Sequence, residues 1–528
     1  MKTHSTIAFD SISFFNPLVI DLLNEDEKLN AFHTNTLTIQ ELINQRSNFS
    51  TTQRNVLHSA LTEQYNELWK HTITNKERIT TQLNTLLNPN TFTVTTGHQL
   101  CLMTGPLYFV YKIITTINYT EQLNATHSQH HFVPVYWAAT EDHDFEEINN
   151  FKLYNKNLET TADTQGAVGN IYLQNITELR EQLVSILGTT SYAAAIIHLF
   201  DSAYTPTNTL AKATQLLVHE LFAQYGLLII DANNATLKQS MHTVFTNELT
   251  HNTAFKLSTT TIAGLEQQGY KNIQVTPREI NLFMMHHNKR ERIVKTKTNY
   301  TVGASTYTLE ELQNNISQLS PNVLLRPLYQ ESILPNIAYV GGGGELAYWL
   351  ELKSIFDYYN VPFPHLLLRH SVLIIEESTL EKLSSKQLSV SDLFESADTI
   401  TKKYIKLNTE KEFSITAYQQ QLEQLYTTIN TKLSTIDKSL APVANAELKK
   451  SIDGLYALNG KVNKALKQQH ANGIAQVIKQ KEKYFPDDGL QERYENIFQY
   501  INKYGFEFVN ELKNELTNVT PTFSILTV

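Results

Sequence analysis

Short apolar, β-branched runs punctuate this chain, and longer amphipathic stretches separate them. Phe92–Thr96 is the first such run, and it predicts a buried strand that ends in Gly97-His98. Gly105-Pro106 then opens a segment with Leu107, Val110, Tyr111, Ile114 and Ile117 at helical spacing, predicting a helix to about Leu123. His131–Ala139 predicts a second strand, running straight into Thr140-Glu141-Asp142-His143-Asp144. Tyr172–Phe222 reads as helical, and Gly226–Asp231 as a third buried strand ending in an acid. Ile337–Val340 predicts a fourth, followed by Gly341-Gly342-Gly343-Gly344-Glu345 and a helix; His365–Leu368 and Val372–Ile375 are the last apolar runs. Upstream of Asn90 the pattern is polar and mostly helical. Strands alternating with helices predict an α/β fold with a parallel sheet. Two of the gaps are longer than a crossover needs, so insertions are expected near 150–211 and 232–325.

Beyond Glu376 the texture changes: glycine nearly vanishes and Lys, Gln, Thr and Ser dominate. Ile415, Tyr418, Leu422, Leu425 and Ile429 step by three and four, and Leu433, Ile436 and Leu440 resume after a stutter. Ala441-Pro442 breaks the pattern before Ile452, Leu455, Leu458, Val462 and Leu466. Two long helices around a tight break predict an antiparallel hairpin, reaching roughly 45 Å for about thirty residues. One hairpin buries little by itself, so a second chain is the expected partner and a homodimer the expected assembly. The predicted organisation is a core at 1–375, a helical arm at 376–485, and a C-terminal segment at 486–528 that returns to the core.

Composition adds mostly exclusions. The chain has 528 residues, 43 Lys+Arg against 52 Asp+Glu, and a formal net charge of -9. A mild acidic balance gives no support to nucleic-acid binding. With Cys101 as the single cysteine, an intrachain disulfide and a cysteine-rich zinc site are both excluded. The N-terminal MKTHSTIAFD lacks the basic and apolar regions of a signal peptide, and no apolar run is long enough to span a bilayer. A cytoplasmic protein with no membrane partner is the expectation.

Ligands of parallel α/β sheets sit outside the carboxyl ends of the strands, so the polar residues there are the candidates. The loop carrying Gly97, His98, Gln99, Thr104 and Gly105 can offer backbone N–H groups to a phosphate. Glu141, Asp142, His143 and Asp144 crowd three carboxylates around one imidazole, which fits an ammonium ligand or general base work by His143 oriented by an acid. Adjacent residues on an extended chain face alternate sides, so the four do not converge on one ion and no metal site is assigned. Gly341, Gly342, Gly343 and Gly344 allow close approach at a helix start, with Glu345 a candidate for a ribose hydroxyl, Mg²⁺ or an amine. Lys112 and Arg369 are single cations near element ends, and Arg278 and Asn281 are candidate substrate contacts within the second insertion. Cys101 reads as a small buried residue rather than a nucleophile, and Tyr348-Trp349 as core.

Five stretches carry a resemblance: TGHQLCLMTGPLYFVYK, VPVYWAATEDHDFEEIN, REINLF, LSPNVLLRPLYQESILPNIAYVGGGGELAYWLELK and FPDDGLQERYENIFQYINKYG. Together they resemble the bacillithiol biosynthesis cysteine-adding enzyme family over nearly the whole chain. His98 stands where that family usually has glutamine, Gly343 where it has proline, and Leu368 where a proline precedes the arginine. The resemblance implies a Rossmann-like parallel-sheet core with two inserted connecting regions and a dimerising coiled-coil arm. It implies a ligase that adds cysteine to the amino group of glucosaminyl-malate. Carboxylates do not acylate amines in water unactivated, so ATP is the expected cosubstrate, with Mg²⁺ as its companion. Another ATP-dependent amide ligase or nucleotidyltransferase, or a nucleotide-binding dimeric scaffold, are the alternative readings.

Overall fold

The computed structural model describes residues 1–163, 166–271, 275–286, 289–409 and 415–528. Five apolar runs form one parallel sheet: β1 (Thr91–His98), β2 (His131–Ala138), β3 (Leu228–Asp231), β4 (Asn336–Gly341) and β5 (His365–Leu368). Their order across the sheet is β5-β4-β1-β2-β3. The chain steps outward from β1 through β2 to β3, then returns to the other side of β1 for β4 and β5. The direction of winding therefore reverses between β1 and β4. That reversal is where open α/β sheets leave a crevice for a ligand.

β1 is buried from Thr91 to Gly97, as a central strand covered on both faces must be. Its threonines are satisfied inside the sheet: Thr93 and Thr95 donate to Asn336 Oδ1 at 3.1 and 2.8 Å, and Thr96 donates to the Val340 carbonyl at 2.8 Å. Helix α1 (Leu107–Thr126) follows β1. A single apolar face is expected from its sequence, yet 14 of its 20 residues are buried. Its buried threonines avoid orphaned hydroxyls by donating one turn back, Thr115 to the Tyr111 carbonyl at 2.7 Å and Thr116 to that of Lys112 at 2.9 Å.

The first insertion holds a hairpin (Asn150–Leu153 with Lys156–Glu159) and the helices Ile176–Leu187 and Ala193–Ala203. In the second, an antiparallel five-stranded sheet runs in the order Ser305–Tyr307, Tyr300–Val302, Lys289–Lys295, Leu282–His286, Leu319–Pro321. The N-terminus differs from the helical expectation. Lys2–Ala8 is a strand, hydrogen-bonded beside Thr522–Thr527, and it is too polar and exposed to show strand alternation. No helix among the described residues is long and apolar enough to cross a membrane.

The chain divides into two compact units, residues 1–373 with 491–526 and residues 374–490 with 527–528. The second unit contains the arm, α3 (Ile415–Ile436) and α4 (Ala441–Gln469). Asn430 donates to Asn445 at 2.7 Å, Tyr426 meets Ser451 at 3.2 Å and Tyr456 donates to Gln419 at 3.3 Å, as an antiparallel pair requires. One seam is expected from the heptads, but the structure separates two stripes. Ile415, Leu422, Ile429 and Leu433 are half-buried with Ile452, Leu455, Val462 and Leu466. Leu425, Ile436 and Leu458 point outward at 54%, 77% and 47% exposure.

Candidate active site

At the crevice between β1 and β4 lies a cavity of about 690 Å³. Among its lining residues are Gly97, His98 and Gln99 from the end of β1, Glu141, Asp142 and His143 beyond β2, and Gly342–Glu345 beyond β4. Seven cations also line it: Lys112, Arg278, Arg290, Arg292, Arg326, Arg369 and Arg493. Against three lining carboxylates, this wall favours anionic ligands.

Glu345 ties the two glycine loops together. It sits in the first turn of the short helix α2 (Gly343–Trp349) and accepts the Gly342 N–H at 2.7 Å. Tyr339 donates to its other oxygen at 3.0 Å, and Lys112 Nζ lies 2.5 Å from Oε2. Lys112 also donates to the Gly97 carbonyl. Burial pushes the carboxyl pKa up, but the Lys112 charge and the Gly342 N–H outweigh it and hold Glu345 at about 2. The expected roles for Glu345 and the glycines change accordingly. Its carboxylate is already engaged, and the Gly342 N–H serves Glu345 rather than a phosphate. Gly341 lies behind the cavity wall, where a Cβ would come within 2.9 Å of Leu346.

Beyond β2 the chain makes turns and no helix. Asp142 accepts from Gln99 Nε2 at 2.9 Å and from the main-chain N–H of His143 at 2.7 Å. Burial would raise its pKa, but the main-chain N–H of His143, the Gln99 amide and the Arg290 charge hold it well below the usual carboxylate range. Gln99 also donates to Glu147 at 2.9 Å. Asp144 is exposed and does not line the cavity; it accepts the Glu147 N–H at 3.3 Å. Glu141 pairs with the buried Lys238 at 2.5 Å. The expected acid stands beside His143, but it is not the nearest group to the ring. The His143 Nδ1 faces Arg290 at 3.0 Å, nearer than Asp142 at 3.5 Å.

Other expected contacts fall outside the cavity. Asn281 is buried and holds Glu248 at 2.8 Å and the Arg278 carbonyl at 2.7 Å; only Arg278 of that pair reaches the lining. Thr104 and Gly105 belong to a buried turn with φ of +65° and +60°. Asn496 fixes that turn by donating to the Met103 and Gly105 carbonyls, both at 2.7 Å. A Cβ on Gly105 would lie 2.7 Å from Cys101 Cβ. Gly105→Ala is therefore expected to destabilise the protein by about 2–3 kcal/mol, read by thermal or urea unfolding. Cys101 is buried, and burial pushes its thiol pKa up to about 12, so it is no nucleophile. Tyr348 reaches the cavity and accepts from Arg326 at 2.5 Å, whereas Trp349 stacks on Tyr339 in the core.

Sequence reasoning missed Arg290, Arg292, Arg326, Arg493, Lys238 and Tyr108. Arg290 and Arg292 share one face of Lys289–Lys295, both over the Phe283 ring at 4.0 and 5.3 Å. Two arginines at i and i+2 beside an aromatic strand were the available signal. Arg369, 5% exposed, pairs with the buried Glu492 at 2.7 Å and lies over Tyr108. Its Nε has no hydrogen-bond partner among the described residues and lies 3.8 Å from where a Gly342 side chain would start.

The chain matches one family over nearly its whole length. The family model described as "Bacillithiol biosynthesis BshC, N-terminal Rossmann-like domain" matches residues 1–370, and its "C-terminal coiled-coil domain" counterpart matches residues 372–528. The chain belongs to the BshC family. Relatives named "Putative cysteine ligase BshC" span it nearly end to end. One from Flavobacterium psychrophilum is 36% identical over 531 residues, covering 98% of each chain. One from Flavobacterium johnsoniae is 36% identical over 532 residues, covering 99% of each. A third, from Christiangramia forsetii, is 35% identical and covers 99% of this chain and 98% of its own. The Rossmann-like and coiled-coil parts of the fold are thus family features, and the chain is an enzyme of the ligase class.

Proposed function

We propose that this BshC-family chain joins the carboxyl group of cysteine to the amino group of glucosaminyl-malate, with ATP activating the carboxylate. The observation that carries the reading is the convergence of seven cations with Asp142 in one cavity at the winding reversal. Phosphates and the malate carboxylates are the anions such a wall suits. Asp142, held ionised, suits an ammonium group. Activation forms a bond from a cysteine carboxylate oxygen to phosphorus and expels pyrophosphate or ADP. The amine then attacks the acyl carbon, AMP or phosphate leaves, and the amine loses its proton.

The carboxylates present do not fit an all-protein Mg²⁺ site. Glu141 is paired with Lys238 and Glu345 with Lys112, which leaves Asp142 as the single lining carboxylate without a lysine partner. Among the described residues no group of three or more acidic, histidine or cysteine side chains converges on a metal position. No step is assigned to the ion.

Turnover tests the reading: the full chain with ATP, Mg²⁺, cysteine and glucosaminyl-malate is expected to form the cysteinyl amide, and the accumulating nucleotide, AMP or ADP, names the intermediate. No amide under these conditions, with another acid or amine turned over instead, would sink it.

For assembly, the outward stripe of the arm supports a homodimer. Leu425, Val443 and Leu458 are 54%, 58% and 47% exposed on a hairpin whose other stripe is already used. Replacing Leu425 and Leu458 together with glutamate is expected to convert the dimer to monomer in sedimentation experiments while leaving the helical signal unchanged. A wild-type monomer at micromolar concentration would refute this.

A further inference from the structure

His98 ends β1 and faces the cavity. Its Nδ1 lies 3.0 Å from the Gln99 carbonyl oxygen. A carbonyl only accepts, so Nδ1 holds the ring proton. Cys101 Sγ, 3.7 Å from the same nitrogen, meets that N–H as a weak acceptor. Nε2 is left with its lone pair, and no described residue donates to it. The ring is wedged between Tyr108 and Phe109, with centroids 5.4 and 5.1 Å away. Lys112, Arg369 and Glu345 are the charges around it. Burial first, and the Lys112 charge second, push its pKa down to about 4, so His98 is neutral at physiological pH.

His143 has the opposite polarity. Arg290 Nη1 lies 3.0 Å from its Nδ1, and a guanidinium only donates. Asp142 Oδ1 is the more distant neighbour of the same nitrogen, at 3.5 Å, so Nδ1 accepts from Arg290 and the proton sits on Nε2. Arg290 is itself anchored, donating to Ser320 Oγ at 3.1 Å and to the Pro321 carbonyl at 3.0 Å. The ring leans on Phe283 at 5.8 Å and lines the same cavity.

We propose that these two histidines read opposite ends of the reacting group: His98 Nε2 accepts a hydrogen bond from the ligand's amine, and His143 Nε2–H donates to its acyl or carboxylate oxygen. Both are then substrate contacts whose polarity is fixed by a protein atom on the far side of the ring. His143 acts as a donor and His98 as an acceptor. Naming the amine as that of glucosaminyl-malate rests on the function proposed above, whereas the proton positions do not.

The test uses the full chain with ¹⁵N-labelled histidine, with His98→Gln and His143→Gln assigning the signals. Near neutral pH, His98 should show a protonated Nδ1 and a bare Nε2, and His143 the reverse. A proton on His98 Nε2, or on His143 Nδ1, overturns the proposal. Adding glucosaminyl-malate should shift the His98 Nε2 signal towards the hydrogen-bonded range; an unmoved signal removes the ligand half of the proposal. In calorimetry with the same compound, His98→Gln keeps affinity within about threefold, because its amide oxygen also accepts, whereas His98→Ala weakens it about tenfold. Equal losses in the two variants refute the acceptor role. Failure of the cysteine reaction alone would leave the nitrogen signals as they are, so the two readings fail separately.

Discussion

Lys112→Met is expected to lower stability by about 2–4 kcal/mol and to abolish turnover, because it removes one half of a largely buried ion pair. Lys112 is 3% exposed and Glu345 27%, so the stranded carboxylate keeps only the Gly342 N–H, the Tyr339 hydroxyl and limited water. The double variant Lys112→Met/Glu345→Gln leaves no uncompensated charge and should recover part of the loss in urea unfolding. Equal stability of Lys112→Met and wild type would show that the pair does not hold the two loops. The same pair sets an acid limit. Glu345 has a folded pKa of about 2, below its ordinary 4.5, so the stability it contributes is complete above about pH 4.5 and drains away as pH falls towards 2. In Lys112→Met this limb should shrink.

Asp142→Ala is the second large effect. It should reduce kcat/KM by about a hundredfold or more with little change in unfolding midpoint, since truncating one partner of a charged contact costs about 2–5 kcal/mol. Gln99 keeps its bond to Glu147 at 2.9 Å, so the loop stays supported. If Asp142 binds the ammonium of the acceptor, KM for glucosaminyl-malate rises more than that for ATP. A folded variant with unaltered kinetics would make Asp142 structural.

The parts of the site visible in the sequence were those written in contiguous residues. Gly97-His98-Gln99, Asp142-His143 and Gly342–Glu345 each follow an apolar run, and strand ends are where side chains leave the sheet. Their proton states were not visible. The polarity of His143 depends on Arg290, 147 residues further on, and that of Asp142 partly on Gln99, 43 residues earlier. Glu345 looked free because its partner Lys112 lies 233 residues away across the winding reversal. Thr104 and Asn281 misled for the reverse reason. Each is polar and near a candidate motif, but the tertiary structure turns them inward, Asn281 onto Glu248 and Thr104 into the turn pinned by Asn496. The strand at Lys2–Ala8 shows no alternation because most of it is exposed.

The segment after residue 490 reaches back to the start of the fold. Glu492 is the counterion of Arg369, Asn496 pins the Met103–Gly105 turn, and the Glu495 carbonyl accepts the Leu107 N–H at 2.8 Å, at the first residue of α1. A ribosome must therefore reach Asn496 before the earliest loop of the site receives all its supports. Until then Arg369 lacks Glu492, and the strained turn keeps its contacts to Tyr204 and Ile148 but lacks Asn496. A chain that stops before residue 490 is expected to have an incompletely supported active site, however well its sheet has folded.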